Sequence, residues 1–223
     1  MLLALDTSTA MAGLALYDGQ VLAECNWRAG RALSAQILPL AEDMLHRLMV
    51  SPGKLTGVGV ASGPGSYTGL RVGLAIAKAL AFSLGLPLVG ICSLDTLAAG
   101  QVASEWPVRP ALDIGRRRFA TSLYRWDGGR MERIEPLQAV DLQGLADLVR
   151  QPTVVCGDLD DAARAYLEER LGDRVRVVGR AAGMRRAAVL AELAWEQLRR
   201  GQGQDPALVE PIYVSEPNAS AGA

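Results

Sequence analysis

Short apolar runs separated by polar turns occupy the start of the chain. Residues 2–5 are apolar at every position and predict a buried strand, and residues 6–9 form a polar turn. Two further runs, 13–17 and 21–25, are joined by Asp18-Gly19, a pair typical of a tight hairpin. The pattern therefore predicts three consecutive strands.

The apolar spacing then alternates between that of helices and that of strands. Residues 34–49 carry apolar side chains at helical spacing with charged positions on the opposite side. They are followed by a strand at 58–61, a long helix from about residue 66, a strand at 86–90 and a helix at 93–102. The predicted order of this half is β-β-β-α-β-α-β-α.

The same order begins again after Trp106-Pro107, a pair that favours a junction because proline restricts the residue before it. The predicted elements are strands 109–112, 119–125 and 130–134, helix 142–150, strand 153–156, helix 160–171, strand 175–178 and helix 185–200. Asp113 follows the first of them as Asp6 follows the first strand of the chain. We therefore predict an α/β protein with mixed sheets flanked by helices, in two halves, 1–105 and 106–217, and a disordered tail at 218–223.

Residues 58–81 form the most distinctive stretch, a strand, a Gly-Pro-Gly turn and a helix that Ser66 or Thr68 can cap. Helical spacing separates two apolar faces. We assign the larger side chains to the core, namely Val72, Ile76 and Leu80. Small residues recur every four positions on the other face, namely Gly69, Gly73, Ala77 and Ala81, and they allow close approach of a second helix. We therefore predict a partner interface on this face, together with Leu38 and Leu45 of the preceding helix.

Two kinds of phosphate site were compared with the glycine turn. A Walker loop requires a second glycine five places after the first and then lysine, and neither Gly63 nor Gly65 meets that requirement. A dinucleotide fingerprint fits better, because Gly63, Gly65 and Gly69 follow a strand and open a helix. The acidic residue expected after the next strand is missing, which argues against that site as well.

Composition restricts the remaining classes of function. The net charge of −1 argues against a protein that binds nucleic acid without a partner, and the run Arg116-Arg117-Arg118 is interpreted as a solvated hairpin tip. Three cysteines in no paired spacing indicate neither a zinc site nor a disulfide framework and suit a cytoplasmic protein. No uninterrupted apolar run is long enough to predict a membrane span.

Candidate catalytic residues are scarce. The single histidine, His46, is predicted on the polar face of a helix, and one histidine cannot supply a pair of metal ligands. Ser66 and Cys25 lack a recognisable base, and the acidic pairs in the second half fit solvated helix positions. We therefore predict no catalytic residue, no metal and no cofactor.

Three motifs resemble a known family: Leu3-Ala4-Leu5-Asp6-Thr7-Ser8-Thr9, Gln36-Ile37-Leu38-Pro39 and, most specifically, residues 63–73. Duplicated ribonuclease-H-like halves with an Asp-Thr turn after the first strand resemble the actin, hexokinase and Hsp70 superfamily. Within it the match narrows to the bacterial TsaB (YeaZ) family. The likeness is good to about Asp113, and Glu210-Pro211-Ile212-Tyr213 is a weaker match near the C-terminus.

The resemblance implies a stabilising, non-catalytic partner of TsaD in making threonylcarbamoyladenosine on tRNA, together with the ATPase TsaE. It implies that TsaD carries the active site with a His-x-x-x-His metal motif, that tRNA is met only through the complex, and that the chain forms a homodimer without TsaD. An enzyme of the superfamily, a phosphotransferase or a glycopeptidase, is the alternative. It would use a weak candidate nucleotide site at Asp6, Thr7, Ser8 and Thr9.

Overall fold

The computed structural model describes residues 1–30 and 33–214, which form two compact units. Of the described residues, unit 1 comprises those of Met1–Thr96 and Arg186–Ile212, and unit 2 comprises Leu97–Arg185 with residues 213 and 214. The tail predicted to be disordered, 218–223, lies outside the described residues.

Unit 1 contains a five-stranded sheet in the order β3-β2-β1-β4-β5. Its strands are β1 Leu2–Asp6, β2 Met11–Tyr17, β3 Val21–Arg28, β4 Gly57–Gly63 and β5 Leu88–Cys92. Its helices are α1 Leu33–Arg47, α2 Tyr67–Leu84 and the late α6 Ala187–Arg199, and α3 Ser93–Ala99 begins directly after β5. Strand β1 is antiparallel to β2 and parallel to β4, so the sheet is mixed as predicted.

Both faces of the unit 1 sheet are covered, which explains why β1 and β4 are buried at every position instead of alternating. Leu3 and Leu5 belong to the apolar cluster that includes α1 and α2. Leu2 and Ala4 point to the opposite face and belong to the cluster built with α6. Removal of either helical layer would therefore expose an apolar sheet face.

Unit 2 repeats the strand order of unit 1 as β10-β7-β6-β11-β12, with β8 paired to β6 and β9. The strands are β6 Val108–Asp113, β7 Phe119–Thr121, β8 Tyr124–Asp127, β9 Arg130–Arg133, β10 Gln138–Val140, β11 Thr153–Gly157 and β12 Val175–Val177. The helices are α4 Leu142–Asp147 and α5 Asp161–Leu171. The matching order confirms the prediction of two related α/β halves with mixed sheets.

The strand predicted at 119–125 is interrupted after Thr121 and forms two shorter strands, β7 and β8. Both pieces lie antiparallel to β6, with Thr121 opposite Ala111 and Tyr124 opposite Val108. In the break, the Ser122 hydroxyl donates a hydrogen bond of 2.6 Å to the Glu135 carbonyl. The strand predicted at 130–134 corresponds to β9. It is followed by a further strand, β10, which was not predicted.

The boundary between the units also differs from the predicted division at residue 105. Helix α6 was assigned to the second half, but Leu190, Ala191 and Ala194 are fully buried in the cluster on the unit 1 sheet. The reason is that the face of β1 carrying Leu2 and Ala4 needs an apolar cover, which no other helix of unit 1 supplies within the described residues.

Candidate functional site

The turn and helix that follow β4 are held at both helix ends by caps. The Ser66 hydroxyl accepts a hydrogen bond from the Gly69 N–H at 3.3 Å, which confirms Ser66 as the cap at the start of α2. At the other end Gly85 adopts a left-handed conformation with φ of 64°, a position that glycine occupies without strain.

The glycines of this stretch allow α2 to lie directly against the turn after β1. A Cβ atom built on Gly65 would overlap the Ser8 carbonyl oxygen, and one on Gly69 would overlap that of Thr7. A Cβ on Gly73 would overlap the Thr7 hydroxyl. That hydroxyl donates to the Gly69 carbonyl at 2.7 Å, so the motif is explained by close packing of backbone within unit 1.

The predicted interface on the small-residue face is therefore wrong. Gly69 and Gly73 are buried against the β1 turn, and Ala77 and Ala81 are fully buried in the unit 1 core. The larger residues assigned to the core, Val72, Ile76 and Leu80, are half-buried, and Ile76 and Leu80 pack against the edge of the unit 1 core. The small residues are the innermost ones because only small side chains allow the helix to reach the sheet and the Thr7 turn.

The two leucines predicted to join that interface have different positions. Leu45 is 6% exposed and packs in the core beside Ile37 and Ala41, so it cannot contact a partner. Leu38 is 45% exposed on the outer side of α1 and remains available.

A different face of α2 is apolar and exposed, and sequence reasoning missed it. Ala75 and Ala79 are exposed, and Phe82, one turn farther along the same side, is 84% exposed. At the start of the helix Tyr67 is 55% exposed and the Arg71 guanidinium lies 4.0 Å from its ring centroid. The available signal was that α2 is apolar around most of its circumference, which requires cover on more than one side.

The apolar character of α2 also makes it a candidate membrane span by length and composition, with a mean hydropathy of 1.2. One such helix is weak evidence, because core helices of globular units pass the same test. Within unit 1 six of its residues are buried against the sheet and the β1 turn, including Leu70 and Leu74.

The candidate nucleotide site at the end of β1 is largely occupied by its own hydrogen bonds. Asp6, Thr7 and Ser8 are at most 4% exposed. The Ser8 N–H and hydroxyl both donate to Asp6 Oδ1, at 2.8 and 2.6 Å, and the Ser8 carbonyl accepts from the Ser66 N–H at 2.6 Å. The Thr9 hydroxyl is half-buried and accepts from the Met11 N–H. A phosphate would have to displace these contacts, so nucleotide binding remains a prediction without support from this geometry.

The equivalent position in unit 2 is open at the surface. Asp113 ends β6 as Asp6 ends β1, and its Oδ1 accepts from the Gly115 N–H at 2.7 Å. Arg116 and Arg117 are exposed in the turn between β6 and β7, as a solvated hairpin tip requires. The Arg118 guanidinium donates to the Ala139 carbonyl at 3.1 Å.

The described part of the chain offers neither a cluster of metal ligands nor, at Cys156, a reactive thiol. Residues 1–30 and 33–214 contain no cluster of three or more histidine, cysteine or acidic side chains that could hold a metal ion. His46 is exposed on α1, as predicted. Burial raises the pKa of the Cys156 thiol far above its usual range, so this thiol is protonated and a poor nucleophile at neutral pH.

Comparison with known sequences gives a consistent set of relatives. Residues 27–223 match the family model for TsaD, tRNA N6-adenosine threonylcarbamoyltransferase. The chain is 32% identical over 177 residues to the tRNA threonylcarbamoyladenosine biosynthesis protein TsaB of Bacillus subtilis, which covers 78% of this chain and 77% of that protein. It is 37% identical over 100 residues to TsaB of Escherichia coli, covering 44% and 43% of the two chains.

Comparison with solved structures agrees. The chain is similar to YeaZ from Pseudomonas aeruginosa with a TM-score of 0.79 and 25% identity, over 95% of this chain and 99% of that one. Its likeness to a ROK hexokinase from Thermus thermophilus, with a TM-score of 0.50 and 16% identity over 86% and 98% of the two chains, concerns the fold alone. Both sequence and structure therefore place the chain in the TsaB (YeaZ) family.

Proposed function

We propose that the protein is a non-catalytic subunit in the synthesis of threonylcarbamoyladenosine on tRNA and that it binds and stabilises the catalytic subunit TsaD. Relatives at 32% and 37% identity carry the name tRNA threonylcarbamoyladenosine biosynthesis protein TsaB. The observation that carries the docking role is the exposed apolar face of α2, with Phe82 84% exposed. Aromatic side chains in such a position are typical anchors of protein interfaces.

The proposed contact surface consists of Ala75, Ala79 and Phe82 on α2. We include Leu38 of α1, which the sequence analysis assigned to the partner interface and which is exposed. A second copy of the chain would use the same face when TsaD is absent, which makes the homodimer and the complex with TsaD mutually exclusive. TsaE joins the assembly as its ATPase, tRNA is met through the complex, and the proteins act in the cytoplasm.

An enzyme of the same superfamily is the competing proposal. One related structure is described as similar to the peptidase YeaZ. The fold shared with a hexokinase is the ground for considering a phosphotransferase. Against both, the chain has a single histidine, exposed on α1, and the hydroxyls of Thr7 and Ser8 are bonded within unit 1.

Reconstitution separates the two proposals. The purified chain alone is expected neither to hydrolyse ATP nor to modify tRNA, whereas addition of TsaD, TsaE and the substrates is expected to produce threonylcarbamoyladenosine in amounts that depend on this chain. Robust ATP hydrolysis by the chain alone, lost on Asp6→Ala, would instead establish the enzyme.

A further inference from the structure

The segment that follows α6 crosses unit 1 and is fixed at both of its ends. At one end Gln204 pairs with Leu88 of β5 through two backbone hydrogen bonds, of 2.9 and 3.0 Å. At the other end the Ile212 N–H donates to the Ser62 carbonyl of β4 at 2.7 Å. Residues 204–212, here called the strap, are therefore tied to two strands of the unit 1 sheet.

The middle of the strap lies against one flank of α2. The Lys78 ammonium group donates to the Ala207 carbonyl at 3.1 Å. Val209 is 3% exposed and belongs to the core cluster that also contains Ala77 of α2. Because Lys78 lies one turn before Phe82, the strap runs beside the side of the helix that carries Phe82.

The strap presents an apolar side chain to the surface at Leu208. This side chain is 73% exposed, whereas that of the next residue, Val209, is buried. Asp205 fixes the local conformation, because its Oδ1 accepts from the Ala207 N–H at 2.8 Å and its carbonyl accepts from the Leu208 N–H at 2.9 Å. A side chain held outward on a fixed backbone loses little conformational freedom when a partner covers it.

Leu208 continues the proposed contact surface of α2. Lys78, which contacts the strap, lies between Ala75 and Phe82 on one side of the helix. Phe82 is 84% exposed, so two large apolar side chains project from adjoining elements of unit 1. Adjoining exposed apolar side chains are typical of surfaces that a protein partner covers.

We propose that the strap forms a second wall of the TsaD contact surface and that Leu208 packs against apolar side chains of TsaD. This inference rests on the proposed function, in which the outward face of α2 binds TsaD. It adds a contact from a segment that lies 129 residues from Lys78 in the sequence. Contacts on two separate elements restrict how the partner can rotate about the axis of α2.

Calorimetric titration of TsaD into the full chain tests the contact at Leu208. Leu208→Asp places a charge in the apolar contact and is expected to weaken binding at least about fivefold. Leu208→Ala removes the side chain without adding a charge and is expected to weaken binding about threefold. The matched control is Val21→Asp, which charges an exposed apolar position of β3 at the opposite edge of the same sheet and is expected to bind as the wild type does.

Phe82→Asp, titrated in the same way, separates this inference from the proposed function. Weaker binding of Phe82→Asp with wild-type affinity in both Leu208 variants would reject the strap contact and leave the docking face in place. A wild-type chain that does not bind TsaD would reject both. An equal loss in Val21→Asp, or a loss of self-association in Leu208→Asp with TsaD affinity unchanged, would also overturn the strap contact. Thermal unfolding of each variant confirms that the fold is intact.

Discussion

At the scale of single residues, Gly73 lies against a hydroxyl group that leaves no room for a side chain. Its α-hydrogen faces the Thr7 hydroxyl, which is bonded to the Gly69 carbonyl in a buried site. We expect Gly73→Ala to lower the free energy of unfolding by about 1–3 kcal/mol, because the new methyl displaces that hydroxyl. Helix propensity alone would act in the opposite direction, by about 1 kcal/mol.

A double-mutant cycle in urea identifies the cause. With Thr7→Ala already present the hydroxyl is gone, so adding Gly73→Ala should cost little or stabilise the protein. An identical loss in both backgrounds would show that Thr7 is not the atom that excludes a side chain.

At the scale of elements, the start of α6 depends on β3 for its caps. The helix begins after Arg186, whose side chain makes no cap. Instead Glu24 Oε1 accepts from the Ala188 N–H at 3.0 Å and Asn26 Oδ1 accepts from the Ala187 N–H at 3.2 Å. Glu24 also accepts from the Arg186 guanidinium, so one strand supplies both acceptors for the helix terminus.

This arrangement predicts a pH-dependent contribution to stability. Burial raises the pKa of Glu24, but the hydrogen bonds from Arg186, the Ala188 N–H and Asn26, with the Arg186 charge, outweigh it and the net pKa is lowered. A carboxyl group with a lowered folded-state pKa stabilises the fold fully above its unfolded pKa and loses that contribution as the pH falls through the folded value.

We therefore expect Glu24→Gln to cost about 1–2 kcal/mol at pH near 7 and much less in acid, below the usual range of a glutamate. Urea unfolding of both proteins over that pH range measures the difference. A cost that is independent of pH would mean that the charge of Glu24 contributes nothing.

Sequence reasoning recovered the order of the elements better than their orientation. Spacing along α2 separates its two apolar faces correctly, but nothing local states which face meets the sheet, and the Thr7 turn that decides it lies 62 residues from Gly69. The caps of α6 were also not predictable from local sequence, because their acceptors, Glu24 and Asn26, lie on β3, more than 160 residues away. Phe82 was missed as a candidate contact because its exposure depends on that orientation.

At the scale of the whole molecule, unit 1 is discontinuous in sequence. Its sheet needs α6, which buries Leu2 and Ala4 under Leu190 and Ala194. We expect residues 1–105 alone to lack cooperative unfolding, and residues 1–96 joined by a flexible linker to 186–212 to regain it. Circular dichroism during urea titration compares the two fragments, and a cooperative transition in the shorter one would contradict this division.

The outward face of α2 is proposed to bind TsaD. Calorimetric titration of TsaD into this chain measures that contact, with Phe82→Asp as the variant and Val102→Asp as the control. These side chains are 84% and 87% exposed, so the two substitutions are matched in exposure and charge. We expect at least about tenfold weaker binding for Phe82→Asp and wild-type affinity for Val102→Asp. Wild-type affinity for Phe82→Asp, in a protein that remains folded, would contradict it.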